Sequence, residues 1–308
     1  MCEALATLPD ATVTAVGSRT QASADAFAAR FHIPHAHGSY DALYADPDVD
    51  IVYVASPHSH HHQMTIAALD AGKHVLCEKA FAVNAREARE MVDAARRTGR
   101  FLMEAMWTWF IPAVVDIRQR VLDGEIGELR VVHADFGIPM FDPDGRHRRL
   151  DLAGGALLDI GIYPITFARF LAGEPRAARA LGTLGDSGID ATVGGVVEFD
   201  RGVLGTFHTS FDMLSSLRAT VFGTLGRIEV DPPFWHTEGF TVHLTGEAPV
   251  HVDMPNAGLA HEAAHAMERI RGGHLESDVI PLDVSISTME LLDDLRAQVG
   301  VVYPADAG

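Results

Sequence analysis

Cysteine is almost absent from this 308-residue chain: Cys2 and Cys77 are the only two. Two thiols, one of them at the very front, cannot build a disulfide framework at this size, so the sequence reads as that of a protein of a reducing cytoplasm. Basic residues are scarce too. Lys plus Arg number 24 against 42 Asp plus Glu, a formal charge of −18 with histidine neutral. Such a surface repels phosphate backbones and anionic membranes, so neither nucleic acid nor membrane is an expected partner unless a local basic patch reverses the field. The nearest candidate, Arg146, Arg148 and Arg149, stands beside Asp142, Asp144 and Asp151 and nets out. No apolar run reaches the ~18 residues of a membrane span, and the front has neither the basic residues nor the apolar core of a signal peptide. Internal repeats and low-complexity linkers are missing as well.

What is present is a chain 47% hydrophobic and 21% charged, long enough for two ordinary domains. Its first third alternates strand-like runs with helical periods. Strands are expected at Thr12–Val16, Ile51–Ala55, His74–Cys77 and Arg100–Met103, and helices at about Ala22–Phe31, His60–Ala71 and Ala85–Thr98. Units of this length imply parallel strands joined by right-handed crossovers, hence a doubly wound α/β sheet covered on both faces. Before Thr12, Glu3–Leu8 read as the last turns of a helix. A helix that begins at the first Met, with no cap and no strand in front of it, looks cut.

Past Ile111 the pattern changes. A helix at about Pro112–Asp123, a strand at Leu129–Asp135 and a helix opening at Gly155 precede a run of strands: Gly195–Phe199, Val203–Ser210, Arg218–Phe222, Arg227–Val230, Thr241–Leu244 and Val250–Val252. Two helices, about His261–Arg271 and Asp283–Gln298, close the chain. The division expected is a dinucleotide-binding domain over 1–107 and an α+β domain with a large, mostly antiparallel sheet over 108–308.

Four constellations could carry chemistry. Ser18-Arg19 follows the first strand; where an acidic residue would bond a ribose 2′-hydroxyl, Arg accommodates a 2′-phosphate and points to NADP. Ser56-Pro57-His58-Ser59-His60-His61-His62 follows a buried strand, at the edge where doubly wound sheets bind ligands. Its histidines invite a metal reading, but no matching ligand-bearing strand end follows, and no metal is expected. Glu78-Lys79 also follows a strand; acid–base work by Lys79 near neutrality would need its pKa depressed from ~10.4, whereas Cys77 suits a small core position. In Gly154-Gly155-Ala156-Leu157-Leu158-Asp159-Ile160-Gly161-Ile162-Tyr163, a helix would set Asp159 and Tyr163 on one face among apolar neighbours. A nearby Lys ammonium would lower the phenol's pKa, making a Lys/Tyr pair a proton relay for alcohol–ketone interconversion.

These pieces, with Asp46–Pro57, Ala71–Lys79 and Met103-Glu104-Ala105-Met106-Trp107 in register, resemble the glucose-fructose oxidoreductase / inositol dehydrogenase (Gfo/Idh/MocA) family. Within it they are most similar to the dimeric dihydrodiol dehydrogenase and NADP-dependent D-xylose dehydrogenase branch. The resemblance covers essentially the whole chain. It implies a Rossmann domain, a second domain whose open sheet forms a dimer face, and a bound NADP or NAD. Lys79 matches the family's catalytic lysine, Asp159 its helix-borne aspartate and Tyr163 the branch's proton donor or acceptor. Ser56, Pro57 and His61 match residues lining the nicotinamide, Glu78 the acidic neighbour of the lysine, and Trp107 an aromatic bordering the substrate. Three departures stand out. Ala80 replaces the proline of Glu-Lys-Pro, Trp109 stands where relatives usually carry Arg, and no strand with Gly-x-Gly-x-x-Gly precedes Thr12. The reaction expected is hydride transfer between nicotinamide and a CH–OH group of a sugar, polyol or cyclic diol. The alternative is a non-catalytic or truncated relative that acts as a binding or partner subunit.

Overall fold

Short apolar strands followed by capped helices set the architecture of the first part. The structure, a computed structural model, describes residues 1–142 and 144–307. Helix α1 (Cys2–Leu5) leads to β1 (Ala15–Gly17), α2 (Gln21–Phe31), β2 (His35–His37) and α3 (Tyr40–Tyr44). Next come β3 (Ile51–Val54), α4 (His58–Asp70), β4 (His74–Glu78), α5 (Ala85–Thr98) and β5 (Leu102–Ala105). The helix starts follow side-chain chemistry. Thr20 accepts from the Ser23 amide and Asn84 from the Glu87 amide, each satisfying an otherwise orphaned first-turn donor. Gly99, with φ of 62°, ends α5 in the left-handed conformation that glycine takes without a Cβ clash.

Strands β3, β4 and β5 form one parallel sheet in that order, with Ile51 opposite His74 and Val75 opposite Leu102. A separate parallel pair holds β1 and β2, Ala15 opposite His35 and Gly17 opposite His37. Among the described residues no strand joins the two sheets; β1 and β3 both border a cavity of about 1100 Å³, closed in part by α1 and by residues Ala263–Arg271.

The second part carries α6 (Pro112–Leu122), β6 (Leu129–Gly137), a π-helical turn (Leu157–Gly161) running into α7 (Ile162–Ala172), and β7 (Pro175–Leu184). Strands β8 (Asp190–Phe199), β9 (Leu204–Ser210), β10 (Ala219–Gly223), β11 (Gly226–Val230), β12 (Gly239–Leu244) and β13 (Val250–Asp253) follow, then α8 (Ala260–Arg271) and α9 (Leu282–Val299). The eight strands stand in the order β13-β12-β11-β10-β6-β9-β8-β7; only β6 and β9 pair in parallel. Every residue of α7 is buried, as expected of a helix that is apolar all round. By length and mean hydropathy of 1.3, Leu150–Ala172 would pass as a membrane span, contrary to the run-length reading, yet its apolar window lies wholly inside the protein.

The two parts share one apolar core, and α5 packs on α9. There the Ala85 amide donates to Asp293 at 2.9 Å and Asn84 donates to Asp306 at 2.9 Å. Because the cavity leaves one edge of β3 unpaired while β4 is bonded on both sides, hydrogen exchange followed by mass spectrometry is expected to show faster exchange in Ile51–Val54 than in His74–Glu78. Equal protection of the two segments would contradict the split sheet.

Candidate active site

Lys79 follows β4 directly, so the parallel sheet delivers its side chain to the strand-end side of the first part. The second part delivers Asp159 and Tyr163. The residues expected to share an α-helical face instead straddle a π-helical turn: Asp159 lies within it and Tyr163 in the first turn of α7. Such turns recur at functional sites. This one is anchored from outside its own ladder. The Leu157 amide donates to Asp190 at 2.5 Å, and the Tyr303 hydroxyl donates to the Gly154 carbonyl at 2.8 Å. Gly161 permits close approach to β9, since a Cβ there would sit 2.9 Å from the Thr209 methyl.

The Lys79 ammonium donates to the Asp159 carbonyl at 2.6 Å and to its Oδ1 at 3.2 Å. It lies over the Tyr163 ring, 5.0 Å from the centroid, rather than on the phenol oxygen. That oxygen accepts from Trp107 Nε1 at 3.0 Å. Glu78 is held by the Tyr53 hydroxyl on one oxygen and by the Lys79 amide, at 3.2 Å, on the other. Asp159 also meets His147 Nδ1 at 2.7 Å, Arg146 at 3.5 Å and His58 Nε2 at 3.8 Å.

Burial and charge compete at Lys79, Tyr163 and Asp159. Burial disfavours the Lys79 ammonium, but Tyr163, Asp159 and Glu78 together more than offset it and raise its pKa. Lys79 therefore stays charged, and the depressed pKa that a lysine base would need is not what the site provides. Burial likewise raises the Tyr163 phenol; Lys79 and the Trp107 bond oppose it without winning, which corrects the expectation of a lowered phenol. For Asp159 the balance goes the other way. Its burial penalty is overcome by Lys79, His147, His58 and Arg146, leaving it well below the usual carboxylate range.

The other predicted residues separate. The histidine run fans out: His60 is exposed, His62 pairs with Glu90 at 2.7 Å, and only His58 and His61 turn inward. His61 is clamped between the carbonyls of Ser56 and Ala80, 2.8 Å from each. Ser56 Oγ is buried with no hydrogen-bond partner. Ser18 and Arg19 lie past β1, beyond the cavity; the Ser18 amide donates to His37, and Arg19 is exposed without an ion pair among the described residues. Trp109 is buried, donates to the Thr166 carbonyl at 3.1 Å and packs on Phe170, so it serves the core. Cys77 is fully buried in the core, and burial pushes its thiol up. The basic cluster does not pair only within itself: Arg149 meets Asp151, but Arg148 meets Asp212 and Arg146 turns to Asp159.

Sequence reasoning missed His147 and the wall beside Tyr163. Trp235 stacks on Phe136 at 3.5 Å between centroids, 6.3 Å from the Tyr163 ring, and His236 lies 5.4 Å from Trp107. The signal was the consecutive Phe234-Trp235-His236 after a proline pair, three rings between two expected strands. Burial lowers His58 to about 3 and His61 to about 4, only partly opposed by Asp159 and by carbonyl hydrogen bonds respectively. Histidine-ring ¹⁵N spectra at pH 5 are therefore expected to show both rings neutral while exposed rings are protonated. Protonation of either at that pH would overturn the burial argument.

Comparison with known proteins agrees with this architecture. Residues 2–106 match an oxidoreductase family with an NAD-binding Rossmann fold, and residues 114–229 match the Gfo/Idh/MocA C-terminal domain. The trans-1,2-dihydrobenzene-1,2-diol dehydrogenase of Bos taurus is 38% identical over 311 residues, covering 96% of this chain and 90% of the bovine protein. Its Homo sapiens counterpart is also 38% identical, with coverage of 98% and 93%. Among solved structures, an aldose-aldose oxidoreductase from Caulobacter crescentus complexed with glycerol superposes with a TM-score of 0.87 at 27% identity, covering 96% of this chain and 92% of that one. A 3-ketoreductase from Actinomadura kijaniata in complex with NADP and TDP-benzene gives 0.85 at 28% identity, with coverage of 97% and 93%. The chain belongs to the Gfo/Idh/MocA family of NAD(P)-binding oxidoreductases.

Proposed function

We propose that the protein transfers a hydride between a nicotinamide cofactor, NADP in preference to NAD, and the CH–OH carbon of a sugar, polyol or cyclic diol. The observation that carries this reading is the Lys79 ammonium held by Asp159 over the Tyr163 ring, beside a wall of aromatic side chains. Bound there, the nicotinamide supplies or accepts the hydride. Two polar groups fit such a ligand: the partnerless hydroxyl of Ser56, near Pro57 and His61, and the exposed guanidinium of Arg19. The phenol of Tyr163 accepts one bond from Trp107 and keeps its proton for the substrate oxygen. With Tyr163 neutral and Lys79 charged, the resting site is set to donate a proton, the requirement of carbonyl reduction; in oxidation Tyr163 takes the hydroxyl proton back. Lys79 stabilises the negative charge that develops on that oxygen, Asp159 positions Lys79, and Glu78 holds the lysine's own amide. The aromatic wall of Trp107, Trp235 and Phe136 suits a ring-shaped substrate with an apolar face. The domain division at 107/108 and a cytoplasmic location belong to this reading.

Replacing Lys79 removes one partner of a buried ion pair, a change that costs about 3–5 kcal/mol, so Lys79→Met alone could act through stability. Tyr163→Phe removes one hydroxyl and is the cleaner variant. It is expected to lower kcat by about 10²-fold or more while leaving NADPH affinity nearly unchanged; unchanged turnover in both variants would sink the assignment. The split sheet favours a second reading, a family member that binds no nucleotide. No glycine-rich turn and helix N-terminus is present among the described residues to receive a diphosphate. Saturable micromolar quenching on NADPH titration excludes that reading, and its absence excludes the first.

The outward face of the eight-stranded sheet presents Val131 opposite Leu204 and Phe222, with Leu204 40% and Phe222 38% exposed. This supports a homodimer formed through the sheet. Light scattering should give twice the chain mass, and Leu204→Glu should shift it to the monomer; a monomeric parent protein would refute the dimer.

A further inference from the structure

A second cluster lies at β2, on the other sheet of the first part from the one that leads to Lys79. Strand periodicity puts His35 and His37 of β2 on one face, with Ala36 on the other. Between α3 and β3, Asp46 sends one oxygen between the two rings. Its Oδ2 is 2.7 Å from His35 Nδ1 and 2.8 Å from His37 Nε2. The remaining oxygen, Oδ1, accepts from the Asp48 amide at 2.9 Å, so a backbone turn fixes the plane of the carboxylate. Among the described residues this is the one place where three such side chains converge, their ligand atoms all within 4.8 Å of one another.

The Asp46 side chain is 4% exposed, and its ion-pair partners among the described residues are these two histidines alone. The neighbouring Lys73 ammonium is turned to the carbonyls of Asp46 and Val49, at 2.6 and 2.8 Å. We propose that His35, His37 and Asp46 bind a divalent metal of the zinc type, against the sequence expectation of none. Two imidazole nitrogens and one carboxylate oxygen are a zinc donor set, and three protein ligands leave a fourth position to water. The histidine side chains, 38% and 23% exposed, leave that position open to solvent. Tetrahedral bonds of ~2.0–2.1 Å put ligand atoms about 3.3 Å apart, so each His–Asp46 separation has to widen by about half an ångström.

The consequence is mechanical. β2 belongs to the small β1–β2 sheet, whereas Asp46 precedes β3 of the larger one, so a metal here pins the two sheets together across the break between them.

The test is titration of the chelator-treated full chain with Zn²⁺ alone, read by calorimetry and by thermal unfolding, with Co²⁺ absorption as a report on geometry. The parent protein should bind Zn²⁺ with a rise in Tm and give the d–d bands of tetrahedral Co²⁺. The His35→Ala/His37→Ala double variant should lose one equivalent of Zn²⁺ and the rise in Tm. Because that variant removes both partners of Asp46 and could fail to fold, His37→Asn, which keeps a hydrogen-bond donor, is the companion. With unchanged circular dichroism it should weaken Zn²⁺ binding on the order of tenfold or more. Equal Zn²⁺ stoichiometry and Tm response in parent and folded variants, or no tetrahedral Co²⁺ spectrum, would overturn the site.

Discussion

A single buried carboxylate holds the candidate active site together. Asp159 is almost out of reach of water, and a charge in that position persists only if cations and donors surround it. They come from two separate stretches: Lys79 from the end of β4, and Arg146 with His147 from the segment before the π-helical turn. Each is thereby fixed in relation to the other. The two parts of the chain are joined also along α5 and α9, through the shared apolar core and through exposed pairs such as Arg96 with Asp283. Exposed pairs are worth up to about 1 kcal/mol, against about 3–5 for breaking a buried one, so Asp159 dominates the local geometry.

The π-helical turn explains how that carboxylate is presented. A wide turn costs hydrogen-bond quality, and the cost is offset here by partners from outside: Asp190 on the Leu157 amide and Tyr303 on the Gly154 carbonyl. Burial in turn raises Asp190 to about 7, the bond from Leu157 opposing it. The chemistry at Asp159 thus rests on a second layer of buried polar groups contributed by β8 and the C-terminal segment.

Much of this was legible in the sequence because the first part obeys simple periodicities. Ile51–Val54 is continuously apolar and β-branched-rich, and α5 has an Asn cap and a glycine stop, so strand and helix were each placed within a few residues. β2 and α3 were missed because they run to only three and five residues, and His-Ala-His carries no strand propensity. β7 was missed for a related reason: it is an edge strand rich in Arg, Ala and Gly, stabilised by its pairing with β8 and the cover of α9 rather than by its own side chains. Lys79 and Tyr163 could be singled out as titratable groups beside strand ends and apolar stretches. His147 and Trp235 could not, since only the folded chain brings them to Asp159 and Tyr163. Even for the residues found, the sense of the pKa shifts was beyond sequence reasoning, because burial, which no spacing reports, sets the balance at Tyr163.

The break between β1 and β3 bears on how a long ligand would be held. Ser18 and Arg19 sit on one sheet, and Ser56 and Lys79 follow strands of the other, with no shared ladder between the two sheets. A dinucleotide engaging both would behave as a bivalent ligand on two subsites that share no strand ladder. Its affinity would follow the effective concentration of the second subsite once the first is filled, as well as the contacts at either end. Anything that stiffens the tether raises that concentration without touching the ligand.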